Sequence, residues 1–331
     1  MAKNKFLKNW ASLFFGKFKV NPNVIIFEGG IHNIDKETRQ RNNIDLGREF
    51  PIIGLLLNDL TFKGGEISAE IEFEEVDNDS MCEIVIYHDV STGYMITAGL
   101  GGTLENMYTI RNRIDKTIWN YPAFAGTRDN LEKKKKYFVQ VKVKGSVVEL
   151  YVDKVKVLSY AFPFTIPASQ IGLWCINKKK ITISKFEADI NPPKVFVIIP
   201  FTSPYLEMYE QVIKKIAEVE LKLEVTKADE QYFPGQIIED IEREISESSI
   251  VIADVSSDPD GKFNPNVYYE VGFARAKNKS PILLAEKSTG LPFDIRGFRT
   301  IFYKDSIIGR DDLEDKLRKF IKEILDRGLP I

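Results

Sequence analysis

Between Ser249 and Leu284 the chain reads SIVIADVSSDPDGKFNPNVYYEVGFARAKNKSPILL, and this stretch decides the fold of its C-terminal part. Ser249 to Ala253 is a short apolar run suited to a strand buried on both faces. Asn266 to Lys277 is long enough for a helix, and Asn264-Pro265-Asn266 in front of it supplies a capping side chain and a proline fit for a first turn. Pro281 to Ala285 is apolar again, which completes a strand, helix, strand unit. The same alternation extends outward. Lys194 to Pro200 and Leu221 to Thr226 read as strands, Tyr205 to Val219 and Gly235 to Ser248 as helices, Thr300 to Tyr303 as a last strand and Asp311 to Leu325 as a last helix. Strands alternating with helices of this length predict an α/β domain with a doubly wound parallel sheet over residues 194–331.

The N-terminal half has another rhythm. Glu66 to Phe73 alternates charged and apolar residues, and strand-length runs follow at Glu83 to Tyr87, Gly93 to Gly99 and Tyr108 to Arg113. Tyr137 to Val143 and Val147 to Val152 flank Lys144-Gly145-Ser146 as a hairpin, and Leu173 to Ile176 and Ile181 to Phe186 close the series. Many strands with little helix predict an antiparallel β-sandwich over residues 1–190. Asn191-Pro192-Pro193 cannot join a ladder and reads as the stiff linker between two domains.

Composition narrows the function classes. The chain has 331 residues, 44% of them hydrophobic, as in an ordinary globular protein. Residues 1–190 carry 26 basic and 23 acidic side chains and residues 191–331 carry 20 and 25, so neither half has the charge of a nucleic-acid binder. Cys82 and Cys175 are the only cysteines, which leaves no disulfide framework and no CxxC metal pair and fits a reducing, cytoplasmic setting. The two histidines, His32 and His88, both precede residue 190, so no histidine triad or histidine metal site is expected in the C-terminal domain. No run approaches the roughly 20 apolar residues of a membrane span. From Lys3 to Lys19, Phe6, Leu7, Trp10, Leu13, Phe14 and Phe18 recur at helical spacing among lysines. That spacing predicts a basic amphipathic helix, which either packs on a domain or a second subunit or lies on an anionic membrane.

Ligands of open α/β sheets bind beyond the carboxyl ends of the strands, so the residues there are the candidates. Pro200, Phe201, Thr202 and Ser203 follow the first strand, Asp254 and Ser256 follow the third, and Asn264, Asn266 and Tyr269 surround the start of the next helix. Glu270 sits in the first turn or so of that helix, with Gly272 and Ala274 beside it to admit a ligand or a strand. Val267 and Tyr268 are expected to offer backbone N–H groups to an oxyanion. A carboxylate there can attack an anomeric carbon or stabilise an oxocarbenium-like centre, and Asp254 can protonate the leaving base or hold a ribose hydroxyl. The plainer reading makes Asp254 a turn cap acting through Ser256, and Glu270 a surface residue favoured by the helix dipole. Asp294, Arg296 and Arg299 are further charged candidates, for a phosphate or for an internal ion pair. In the other half, His88, Asp89, Trp119 and Tyr121 suit a sugar site and suit buried aromatics and solvated loops equally.

Two resemblances add to this. IIEDIEREISESSIVIADVSSDPDGKFNPNVYYEVGFARAKNKSPILL, running on to LPFDIRGFRTIFY, resembles the nucleoside 2-deoxyribosyltransferase-like superfamily, which is close in fold to TIR-type domains. The motif order is an Asp, then Asn-Pro-Asn-Val, then Tyr-Glu-x-Gly-x-Ala. The resemblance implies that Glu270 is the nucleophile or catalytic acid, that Asp254 is the aspartate after the central strand, and that Pro200-Phe201 lies under the base. It further implies cleavage or transfer at the N-glycosidic bond of a nucleoside, a nucleotide or NAD, with no cofactor required and the nucleotide or NAD as substrate. Members often complete their sites from a neighbouring subunit, which implies a homo-oligomer. Fusion to a sandwich favours a regulated effector of the anti-phage type. FVQVKVKGSVVELYVDKVKVLSY, followed by IGLWCINKKKITISKFEADI, resembles the last strands of concanavalin A-like jelly rolls, which implies a glycan or protein ligand for the first domain. The competing reading is a non-enzymatic nucleotide sensor or binding module.

Overall fold

The computed structural model describes residues 7, 9–34, 49–102, 106–114, 118–190, 193–228, 237–277, 279–304 and 306–327. The chain divides into two compact units at Ile190 and Asn191, with 143–147 and 161–168 grouped with the second. Asn191 and Pro192 of the expected linker lie outside the described residues.

The first unit is a β-sandwich of two antiparallel sheets, each of seven strands. Strict alternation builds it. In Lys136–Lys144, Tyr137, Val139, Val141 and Val143 are buried, whereas Lys136 and Lys144 at its ends are exposed and Phe138, Gln140 and Lys142 only half-buried. Gly145 (φ 58°) turns this strand into Val147–Val152, and Asp153 (φ 50°) and Lys154 (φ 70°) turn the latter into Val155–Ala161. Strand Ser169–Asn177 lies between Ile52–Phe62 and Met81–His88, with Cys175 directly opposite Cys82. Their sulfurs are 3.7 Å apart and fully buried, as free thiols. Beside them, Arg111 and Glu83 form an ion pair, 2.6 Å from Nη2 to Oε2, with both side chains almost fully buried. Thr97 and Thr109 donate to the two Glu83 oxygens, and the Trp119 ring lies 3.8 Å from the Arg111 guanidinium, so the buried charges are well partnered.

From Trp10 onward the expected N-terminal helix is not formed. Residues 1–6 and 8 lie outside the description, but Trp10–Ser12 and Phe18–Asn21 are strands, and Trp10, Ala11 and Ser12 pair with Asn58, Leu57 and Leu56. Gly16 explains the preference. A Cβ there would meet the Phe27 ring at 2.5 Å and the Gly54 backbone at 2.6 Å, so the chain crosses closely over its neighbours where a helix would hold it off.

The second unit is a five-stranded parallel sheet in the order Glu224–Lys227, Lys194–Ile198, Ile250–Asp254, Ile282–Glu286, Thr300–Tyr303. Side chains alternate across it. Val195 and Val197 join a core with Tyr209, Val212 and Ile216 and with Leu313, Leu317 and Ile321 of helix Ile307–Arg327. Phe196 and Ile198 join another with Ile245 of helix Ile237–Glu247 and Val267, Val271 and Ala274 of helix Pro265–Ala276. The helix expected over Tyr205 to Val219 begins as an α-turn at Tyr205–Met208 and continues in wider π-type turns to Glu220. Among the described residues, no helix is long and apolar enough to cross a membrane.

Candidate active site

Asp254 ends the central strand, 1% exposed, and its carboxylate is engaged on both oxygens. Oδ1 accepts from the Ser256 backbone N–H at 2.9 Å, and Oδ2 accepts from the Tyr303 hydroxyl at 2.8 Å. Burial pushes its pKa up to about 6, against the lowering effect of these hydrogen bonds. Ser256 Oγ in turn accepts from the Glu286 backbone N–H at 2.8 Å, and the Tyr268 hydroxyl donates to the Val255 carbonyl at 3.1 Å. Asp254 therefore fixes the ends of three adjacent strands. The turn-cap reading of Asp254 and Ser256 describes these hydrogen bonds.

The loop after Asp254 closes on itself. Ser257 bridges to Phe263, the Asp258 backbone N–H donates to the Lys262 carbonyl at 2.8 Å, and Gly261 takes a φ of 79°. Asn264 then caps helix Pro265–Ala276 by accepting from the N–H groups of Asn266 (3.0 Å) and Val267 (3.4 Å). The Tyr268 N–H donates to the Asn264 carbonyl. The expected oxyanion donors are thus engaged within the chain, the Val267 N–H by the Asn264 side chain and the Tyr268 N–H by the Asn264 carbonyl in the first helical hydrogen bond.

Counted from that cap, Glu270 lies in the second turn rather than the first. It is half-buried, has no hydrogen-bond partner among the described residues, and burial alone pushes its pKa up to about 7. It is not in hydrogen-bond contact with Asp254, whose oxygens are taken by Ser256 and Tyr303. Gly272 is no point of close approach within the chain, since a Cβ there would meet nothing within 4 Å.

The chain matches no family model and no curated protein. Among solved structures, it is similar to a Bacillus subtilis carbohydrate-binding module at 10% identity, over 55% of this chain and 97% of that one, with a TM-score of 0.42. A Bacillus subtilis protein of unknown function with a galectin-like fold is similar at 12% identity over 55% of this chain and 89% of its own, with a TM-score of 0.38. The CMP N-glycosidase BcmB of Clostridium botulinum is similar at 22% identity over 38% of this chain and 97% of its own, with a TM-score of 0.29.

The remaining candidates are dispersed. Pro200 is buried, while Phe201, Thr202 and Ser203 are exposed, and Ser203 Oγ donates to Glu207 at 2.7 Å. The Tyr269 hydroxyl donates to Glu242 at 2.7 Å on helix Ile237–Glu247. Asp294 and Arg296 are exposed on the short helix Phe293–Arg296, where Arg296 donates to the Leu291 carbonyl at 3.1 Å. Arg299 stacks on Phe320 at 4.4 Å. In the sandwich, Asp89 binds its own loop through Ser91 and Thr92, which hold its pKa down to about 2, and Trp119 and Tyr121 flank buried Arg111.

Sequence reasoning missed Tyr303, which lies 49 residues from its partner Asp254. Its place at the end of a strand two removed from the centre is the signal that could have found it.

Proposed function

We propose that the second unit cleaves or transfers the N-glycosidic bond of a nucleoside, a nucleotide or NAD, with Glu270 as the carboxylate at the anomeric carbon. The observation that carries this reading is the state of Glu270: a half-buried carboxyl without a hydrogen-bond partner among the described residues, with a pKa pushed by burial to about 7. Structural carboxylates are normally paired, and an unpaired one held near neutrality on a helix at the carboxyl edge of a parallel sheet suits covalent or electrostatic catalysis. In the proposed reaction the ionised Glu270 attacks or shields the anomeric carbon as the bond to the base breaks. The electron pair of the C–N bond leaves with the base, and the oxygen of water or a nitrogen of a second base then bonds to the anomeric carbon, its proton passing to the departed base or to solvent. Asp254 acts through Tyr303 and Ser256 to hold the strand ends in place.

The same reading takes the second unit as doubly wound and akin to deoxyribosyltransferase-like and TIR-like domains. The sandwich is its recognition part, for a glycan or a protein, in a regulated cytoplasmic homo-oligomer of the defence type. The test is incubation of the full chain with NAD and a panel of nucleosides and nucleotides, followed by chromatography for free base. Base release from at least one member is expected, and its absence from all of them at stoichiometric protein would contradict the proposal.

A further inference from the structure

A cavity of about 280 Å³ opens at the carboxyl edge of the parallel sheet, and Glu270 is not among the residues that line it. The charged residues of its walls are Glu207, Asp258, Glu286, Lys304 and Arg310, with Tyr205 and Tyr303 between them. Voids left by imperfect packing are apolar, and this one is ringed by charges of both signs. Its volume, just below the usual range of roughly 300–1,000 Å³ for such sites, suits a small polar ligand.

The charges are ordered by the sheet. Asp258 follows the central strand Ile250–Asp254, Glu286 ends the neighbouring strand, and Lys304 follows the edge strand Thr300–Tyr303, with Arg310 in the helix beyond it. Adjacent strands are about 4.8 Å apart, so Glu286 and Lys304 stand at neighbouring strand ends about one spacing apart, while Glu207, on the helical turn Tyr205–Met208, accepts from the Ser203 hydroxyl. A pentose carrying a terminal phosphate spans a comparable distance between its ring hydroxyls and its phosphorus.

The groups at each end have capacity to spare. Glu286 accepts from Ser288 on Oε2, and among the described residues Oε1 accepts no hydrogen bond. A free carboxylate oxygen is an acceptor only, which suits a hydroxyl and repels a phosphate. Lys304 is exposed and has no carboxylate partner among the described residues, and Arg310 spends Nη1 on Gln211 at 2.7 Å, which leaves the rest of its fork for an anion. Between them, Tyr205 and Tyr303 give the cavity flat, partly apolar walls.

We infer that this cavity binds a pentose 5′-phosphate, as carried by a nucleoside 5′-monophosphate, with Lys304 and Arg310 on the phosphate and Glu286 on the ring hydroxyls. The site is separate from Glu270 and needs no chemistry from it. Binding here and catalysis there can therefore fail independently.

The experiment is calorimetric titration of the full chain with CMP, AMP, ribose 5-phosphate, inorganic phosphate and unphosphorylated cytidine. CMP or AMP and ribose 5-phosphate are expected to bind, and cytidine at least tenfold more weakly. Lys304→Ala combined with Arg310→Ala should weaken binding at this site at least tenfold, and so should Glu286→Ala, while Glu270→Gln leaves it unchanged. Circular dichroism and melting of each variant establish that the fold is intact. Absence of binding by every phosphorylated pentose would overturn the inference. Equal affinity and stoichiometry in the Lys304 and Arg310 double variant would also overturn it, as would inorganic phosphate binding as tightly as ribose 5-phosphate.

Discussion

The Tyr303 hydroxyl donates a 2.8 Å hydrogen bond to Oδ2 of Asp254, tying the edge strand to the central strand across the one between them. Tyr303→Phe removes this donor and leaves one oxygen of a buried carboxylate unsatisfied. The expected cost is about 1–3 kcal/mol at pH 7.5, where Asp254 is ionised. With the Asp254 pKa at about 6, the cost should shrink at pH 5 as the carboxyl gains its proton. Urea denaturation of both proteins at the two pH values measures it, and an equal cost at both would refute this account of the bond.

Glu270 makes stability depend on pH with a defined sign. Its folded pKa of about 7 lies above the ordinary 4.5, so the protonated form favours the folded state. That contribution is fully present below about pH 4.5 and is lost as pH rises through 7. Glu270→Gln, which stays neutral, should therefore stabilise the second unit at pH 8 by on the order of 2 kcal/mol and change little at pH 4.5. Denaturation curves at the two pH values decide it. A variant less stable than the parent at pH 8 would mean that Glu270 has a stabilising partner after all.

In the sandwich, Arg111→Met should be strongly destabilising. It leaves the Glu83 carboxylate buried with only Thr97 and Thr109 as donors, and removing one member of such a pair costs about 3–5 kcal/mol. Replacing Glu83 and Arg111 together by apolar residues should recover much of the loss. A double-mutant cycle measured by denaturation would show this coupling, and simple additivity would argue against a tightly coupled pair.

Much of the architecture was legible because periodicity differs between the halves. Residues Lys136 to Val152 alternate with period two about a glycine turn, and Val195 to Ile198 and Ile250 to Ala253 are continuous apolar runs separated by helical stretches. The Lys3 to Lys19 segment misled because Trp10, Leu13, Phe14 and Phe18 fall at helical spacing by chance, while Gly16 and pairing to Ile52–Phe62 favour strands. At the candidate site, Asn-Pro-Asn alone signalled a helix cap at Asn264 or Asn266, and the structure places it on Asn264. What escaped was long-range. Tyr303 beside Asp254, and Glu286 and Lys304 around a common cavity, meet only because three strands lie side by side. Local pattern fixes neither strand order nor which strand ends are neighbours.

The most direct test of the central claim is the rate of free-base release by wild type and Glu270→Gln, assayed side by side on the best substrate of the nucleotide panel at pH 8. The account predicts a loss of at least a thousandfold in a variant that stays folded and is no less stable than wild type at that pH. Release at an undiminished rate by Glu270→Gln would contradict it, because the carboxylate at the heart of the proposed chemistry would then be dispensable.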